Sequence, residues 1–154
     1  MADLALRWGS QSADLALEAN DLARDDGLET ALLISLYTDR RTDDAGKVPA
    51  GDGDARGWWG DAVPVVPGDR IGSRLWLLAR EKEEAPALRR AEEYAREALA
   101  WLLEDRVAER VEVTASVPAP HVLGLTVVVQ RPGADRADEF RFHSTWAAQE
   151  ARRA

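Results

Sequence analysis

The residue types that ordinarily do covalent or metal chemistry are either missing from this chain or badly spaced for it. There is no cysteine, which removes thiol nucleophiles, thiolate zinc sites and disulfides together. The two histidines, His121 and His143, have no second ligand at helical or strand spacing, so no metal is expected; His143 falls in an alternating stretch that turns it to solvent. Asp43, Asp44, Asp52, Asp54 and Asp61 are grouped, but they lack the spacing and the closing glutamate of an EF-hand and read as a solvated acidic loop. Ser73 lies in "IGSRL", where Ile71 and Leu75 stand in the places a nucleophile elbow gives to glycine, so it reads as a helix N-cap or first-turn residue. The 28 acidic residues offer many carboxylate pairs for glycoside hydrolysis and single out none of them. No glycine-rich loop runs into Lys-Ser or Lys-Thr. The sequence predicts no catalytic residue, no metal and no cofactor.

What the chain does concentrate is arginine and tryptophan. Residues 55–78, "ARGWWGDAVPVVPGDRIGSRLWLL", hold three of the six tryptophans together with Arg56, Arg70 and Arg74. Arg and Trp are the residue types most enriched where proteins bind one another. Trp58 and Trp59 are adjacent and do not face the same side, which predicts one ring packed inward and the other anchoring a partner. Gly57 and Gly60 allow a tight backbone around them. Arg56 either pairs with Asp61 across that turn or reaches the partner. Trp76, on the edge of a helical stripe, reads as core.

Several elements must position these residues. Leu4, Leu6 and Trp8 share one parity, and Leu15 and Leu17 another after Gly9-Ser10-Gln11-Ser12, the pattern of an N-terminal β-hairpin with one buried face. "DDGLETALLISLYTDRR" predicts a helix over about residues 27–38, with Asp25 and Asp26 at the N-cap and Arg40 and Arg41 at the C-terminal end. Residues 39–70 are irregular; within them 42–55 are polar and expected to be mobile, whereas "RGWWGDAVPVVP" is too apolar to float free. "GDRIGSRLWLLAREK" reads as a short helix. "APALRRAEEYAREALAWLLEDRVAERVEV" reads as a long one, with Pro86 in its first turn and Leu88, Ala91, Ala95, Ala98 and Leu102 on one stripe. Period two then takes over: Val107, Val111, Val113 and Val117; Leu123, Leu125, Val127 and Val129; and Phe140, Phe142 and Trp146, the last two strands joined around Pro132-Gly133. The fold class is α+β, an N-terminal β-hairpin and about three helices packed on a C-terminal antiparallel sheet, in a single domain over residues 1–154. The net charge of −8 argues against nucleic acid and against anionic membrane surfaces. The absence of a signal-peptide pattern or a spanning apolar run predicts a soluble, intracellular protein.

"DARGWWGD", "GDRIGSRLWLLAREK" and "EYAREALAWLLEDRVAERVEV", in that order, resemble the small baseplate wedge proteins of phage Mu-like contractile tails. More distantly, the layout is similar to the wedge superfamily shared by contractile phages and the type VI secretion baseplate. That superfamily has an F-G-S-type turn, matched by Ile71-Gly72-Ser73-Arg74, and a W-E-P-R-I-type motif, matched by Leu103-Glu104-Asp105-Arg106-Val107. Two departures stand out: Asp105 replaces the proline, and the tryptophan is Trp101 rather than the residue before the glutamate. The resemblance implies a non-enzymatic subunit that clamps larger wedge subunits and offers a sheet edge to the first sheath ring. It would be made in the host cytoplasm and carried into the tail of the virion or tail-like particle. The partner-binding residues implied are Arg56, Trp58, Trp59, Asp61, Gly72, Arg74, Glu104 and Arg106. Arg74 and Arg106 would bind carboxylates, either Glu104 and Asp105 or acids on the neighbour. Two rival readings come from other classes. One is a regulatory adaptor or anti-adaptor of the same fold that binds a soluble partner; the other is a cell-wall hydrolase in which Glu104 is an acid.

Overall fold

The computed structural model describes residues 27–43, 48, 54–64, 70–81 and 83–146, and the backbone of short strands before residue 26. Most of the stretch expected to be mobile, 42–55, lies outside the described residues, as does the turn at 9–12. The short strands are β1 (Asp3–Leu4), β2 (Leu6–Trp8), β3 (Ala13–Leu15), β4 (Leu17–Glu18), β5 (Asp21–Leu22) and β6 (Arg24–Asp25). They form three antiparallel pairs, with Leu6 opposite Leu15, Leu17 opposite Leu22 and, enclosing both, Asp3 opposite Asp25.

Helix α1 spans Leu28–Tyr37. Its leucines at 28, 32, 33 and 36 are buried, as the periodicity requires, and Ile34 is left on the outer side. The N-cap position is taken by Gly27, at φ 82°, and the expected capping by Asp25 and Asp26 lies outside the described side chains. The short helix expected in "GDRIGSRLWLLAREK" is a 3-10 helix, Leu75–Arg80. There Trp76, Leu77 and Leu78 are buried in succession, so this element is enclosed on more than one side. The long helix is divided. Helix α2 (Ala85–Ala98) buries Ala87, Ala91, Tyr94, Ala95 and Ala98, and the single turn α3 (Trp101–Glu104) buries Leu102. Between them the backbone tightens, with Ala100 N–H bonding Glu97 C=O and Leu102 N–H bonding Leu99 C=O. The described α-helices are therefore two of several turns and one of a single turn.

The sheet consists of β7 (Arg110–Ala119), β8 (Val122–Gln130) and β9 (Asp138–Thr145), antiparallel and in that order. Val107 precedes β7 and is exposed, because Arg106 adopts a left-handed φ of 58° that turns the chain after α3. β7 pairs with β8 from Arg110 opposite Gln130 to Ser116 opposite Gly124 and, after a register shift, at Ala119 opposite Val122, and β8 pairs with β9 from Val122 opposite Thr145 to Val129 opposite Asp138. Leu123, Leu125, Val127 and Val129 face the helices and meet Phe142, Leu32, Leu36, Leu99 and Leu102 in one apolar cluster. Burying each such side chain contributes about 1.5–3 kcal/mol.

Candidate partner-binding surface

The C-terminal end of α1 is the hub. Ser73 donates its hydroxyl to Leu36 C=O at 2.5 Å, Ser73 N–H bonds Thr38 C=O, and Arg40 N–H bonds Ser73 C=O. These bonds satisfy carbonyls that a helix end leaves without partners. The approach is so close that a Cβ on Gly72 would lie 2.4 Å from Thr38 oxygen, and Gly72 has φ 94°. Gly72 thus fixes a docking of backbone on backbone. Ser73 also accepts Leu75 N–H at 3.3 Å, a first-turn role for the 3-10 helix.

Two arginines fan out from this hub. Arg56 places Nη1 2.5 Å from Asp39 Oδ2 and lies 4.6 Å above the Trp76 ring. Trp76 is buried, as expected, and donates its indole N–H to Arg40 C=O at 2.9 Å. Arg56 therefore pairs with Asp39 and not with Asp61. Asp61 Oδ1 instead accepts Ile71 N–H at 3.2 Å, while its Oδ2 is buried with no hydrogen bond among the described residues. Arg74 grips Glu97 Oε2 through Nη2 at 2.6 Å and Nε at 2.8 Å, and covers the Tyr94 ring at 4.6 Å. Arg40 approaches the other Glu97 oxygen at 3.4 Å. Glu97, and neither Glu104 nor Asp105, is the carboxylate that Arg74 binds.

From the Arg56 base the chain turns outward. Arg56 and Gly57 both have positive φ, 53° and 112°, and Trp59–Ala62 form a 3-10 turn. Trp58 and Trp59 stand beside each other, ring centres 5.3 Å apart. Neither packs inward as one of them was expected to: Trp58 is 44% exposed and Trp59 83%, with Val63 at 85% beyond them. The Trp58 ring folds over Gly60, where a Cβ would come within 2.1 Å of it, so the indole lies against its own loop rather than the core. Three large apolar side chains in solvent on a short turn are costly unless something covers them.

Glu104 and Arg106 are also exposed, and among the described residues neither side chain makes a hydrogen bond or ion pair. With Leu103 and Val107 exposed beside them they form a second solvent-facing group, and no hydrogen bond or ion pair joins it to the tryptophan turn. Trp101 links this end to α1 through its indole N–H, which donates to Ser35 Oγ at 3.1 Å. Sequence reasoning missed Asp39, Glu97 and Ser35, because each partners a residue more than fifteen positions away and leaves no local spacing to read.

The model of a family described as phage protein GP46 matches residues 28–136, which take in the α1 hub, the tryptophan turn, both arginine clamps and most of the sheet. The chain belongs to that family. It is 50% identical over 102 residues to the baseplate protein gp46 of Escherichia phage Mu, covering 66% of this chain and 68% of the Mu protein. It is 40% identical over 148 residues to the Mu-like prophage FluMu protein gp46 of Haemophilus influenzae, covering 96% of this chain and 99% of that relative.

Proposed function

We propose that this chain is a structural subunit of a Mu-like contractile-tail baseplate and works through protein contacts, with no chemistry of its own. The observation that carries the reading is the exposed Trp58–Trp59 pair on a base fixed by Arg56, Asp39 and Trp76, in a family with a member named as a baseplate protein. A rigid base lowers the ordering cost of binding, and exposed tryptophans gain the most from being covered.

In this reading residues 1–154 act as one wedge-like domain that clamps larger wedge subunits. Trp58, Trp59, Glu104 and Arg106 meet the partner, and Arg56, Asp61, Gly72 and Arg74 hold the shape that presents them. The sheet offers an edge on which the first sheath ring nucleates, since an edge strand presents unpaired N–H and C=O groups for main-chain pairing. The protein is made in the host cytoplasm and ends in the tail. Co-expression with the large wedge subunit of the same genetic element, followed by size-exclusion chromatography with mass determination, tests this. A stable complex that Trp59→Ala weakens without unfolding the chain is expected. A monomer that ignores that subunit overturns the reading.

A further inference from the structure

We propose that Arg41 and the tryptophan turn form one recognition site, which takes a partner segment carrying a single carboxylate next to a bulky apolar side chain. The proposal deepens the assembly role above, by naming the chemistry of the partner at that site, and rests on it.

Arg41 differs from the arginines around it. Arg40 and Arg74 share Glu97, Arg56 has Asp39, and Arg70 has Asp43 at 3.2 Å. Arg41 is exposed, and among the described residues its side chain reaches no carboxylate. It makes one bond, from Nη1 to Arg56 C=O at 3.4 Å. It does not serve the α1 dipole either, because that helix ends at Tyr37 and its last turn holds no basic residue. A guanidinium presents several N–H donors in a planar fork, and one long bond to a carbonyl leaves most of them available.

The charge is nevertheless held in place. Thr42 N–H bonds Ala55 C=O at 3.1 Å, so the segment after α1 lies along the segment that leads into the tryptophans. A Cβ on Gly57 would come within 2.8 Å of Arg41 Cβ, so the Arg41 stem packs directly on the Gly57 backbone. The guanidinium therefore sits at the peptide between Arg56 and Gly57, next to Trp58 in the chain. An arginine ordered in this way loses less freedom on binding.

This placement couples the two halves of the site. Trp58, Trp59 and Val63 are apolar groups in water, and a partner gains by covering them. An interface of ordinary size takes about 800 Å² from each side, far more than one short turn supplies. A partner seated on both indoles thus also excludes water from Arg41. A cation stripped of water and left unpaired is strongly unfavourable, so the partner must bring an acceptor, and the fork selects a carboxylate. The surrounding charges limit it to one. Asp39 and Asp43 flank Arg41 in the chain, Asp54 lies beside it through its bond to Arg56 N–H, and the net charge is −8. Together these repel a polyanion such as nucleic acid. The fitting segment has aspartate or glutamate beside leucine, methionine or phenylalanine.

The test is calorimetric titration of the full chain with the large wedge subunit of the same genetic element, at a low and a high salt concentration. Wild-type affinity should fall with salt, which screens the contact. Arg41→Gln should bind about tenfold more weakly at low salt and lose most of the salt dependence, with urea unfolding unchanged. Arg41→Lys, a point charge on a similar stem, should fall between the two. Arg41→Glu should abolish binding, and a single Asp→Arg or Glu→Arg change in the wedge subunit should restore it. Combined with Trp59→Ala, Arg41→Gln should lose less than the sum of the two single losses, because uncovering the indole also returns water to Arg41. Wild-type binding by Arg41→Gln at both salt concentrations, additive losses, or no reversal that restores Arg41→Glu overturns this proposal and leaves the assembly role standing. A wild-type chain that binds the subunit at neither concentration overturns both.

Discussion

Two arginines stand in left-handed backbone where the chain turns toward its solvent-facing groups, Arg56 before the tryptophans and Arg106 after Glu104. A side chain in that region costs roughly 1–2 kcal/mol relative to glycine, and such strain gathers at functional sites. Arg56 has an evident return in Asp39 and the Trp76 ring, whereas the Arg106 side chain makes no hydrogen bond or ion pair among the described residues. Replacing Arg106 therefore separates fold from binding. Arg106→Gly should raise unfolding free energy in urea by about 1 kcal/mol, while assembly with the proposed wedge partner weakens. A glycine variant that assembles as well as wild type would show that the side chain has no partner. Trp59 gives the complementary case. At 83% exposure it contributes little to folding, so Trp59→Ala should leave stability within about 0.5 kcal/mol. The same change should cost about 2 kcal/mol or more in affinity for the proposed partner, measured by calorimetric titration against the large wedge subunit.

At the scale of elements, Glu97 joins three pieces far apart in sequence: α2, the segment after α1 through Arg40, and the turn before the 3-10 helix through Arg74. These groups are about a third exposed or less, so the ion pairs themselves are screened and contribute on the order of 1 kcal/mol. Glu97→Gln should lower stability by about that amount in urea. Arg74→Ala should cost more, because it also uncovers Tyr94. A double-mutant cycle of the two substitutions checks that the coupling is direct. The sequence made α1 and β8 legible, since Leu28, Leu32 and Leu36 repeat at one helical face and Leu123, Leu125, Val127 and Val129 alternate without a break. It hid the division after Ala98, where no glycine or proline marks the tightening. Glu92 and Arg96 look like an ordinary solvated pair one turn apart. Their grip on β7, with Arg96 donating to Val113 C=O and Glu92 accepting Ala115 N–H, is set only by how α2 lies against the sheet. For the same reason the tryptophan turn was visible as a cluster, but not which way its rings point.

For the molecule as a whole, the core is where helices and sheet meet, and Tyr37 is its most exacting polar member. Its ring meets Phe142 edge-on at 6.3 Å, joining the end of α1 to the centre of β9. Burial pushes its hydroxyl well above the ordinary value of 10.0, and the neighbouring Ser144 side chain acts in the opposite sense. The folded-state value is raised, so the neutral phenol's contribution is fully present below the unfolded value. It is lost as pH rises above about 10 toward the folded value, because the unfolded chain ionises first. In that window stability should fall by about 1.4 kcal/mol per pH unit from this group alone. Tyr37→Phe removes the titration. At neutral pH the two proteins should be of similar stability. Above pH about 10 wild type alone should lose stability, so the variant becomes the more stable of the two. Urea unfolding across that range reads the divergence directly, and parallel curves for the two proteins would mean that Tyr37 already reaches solvent in the folded chain.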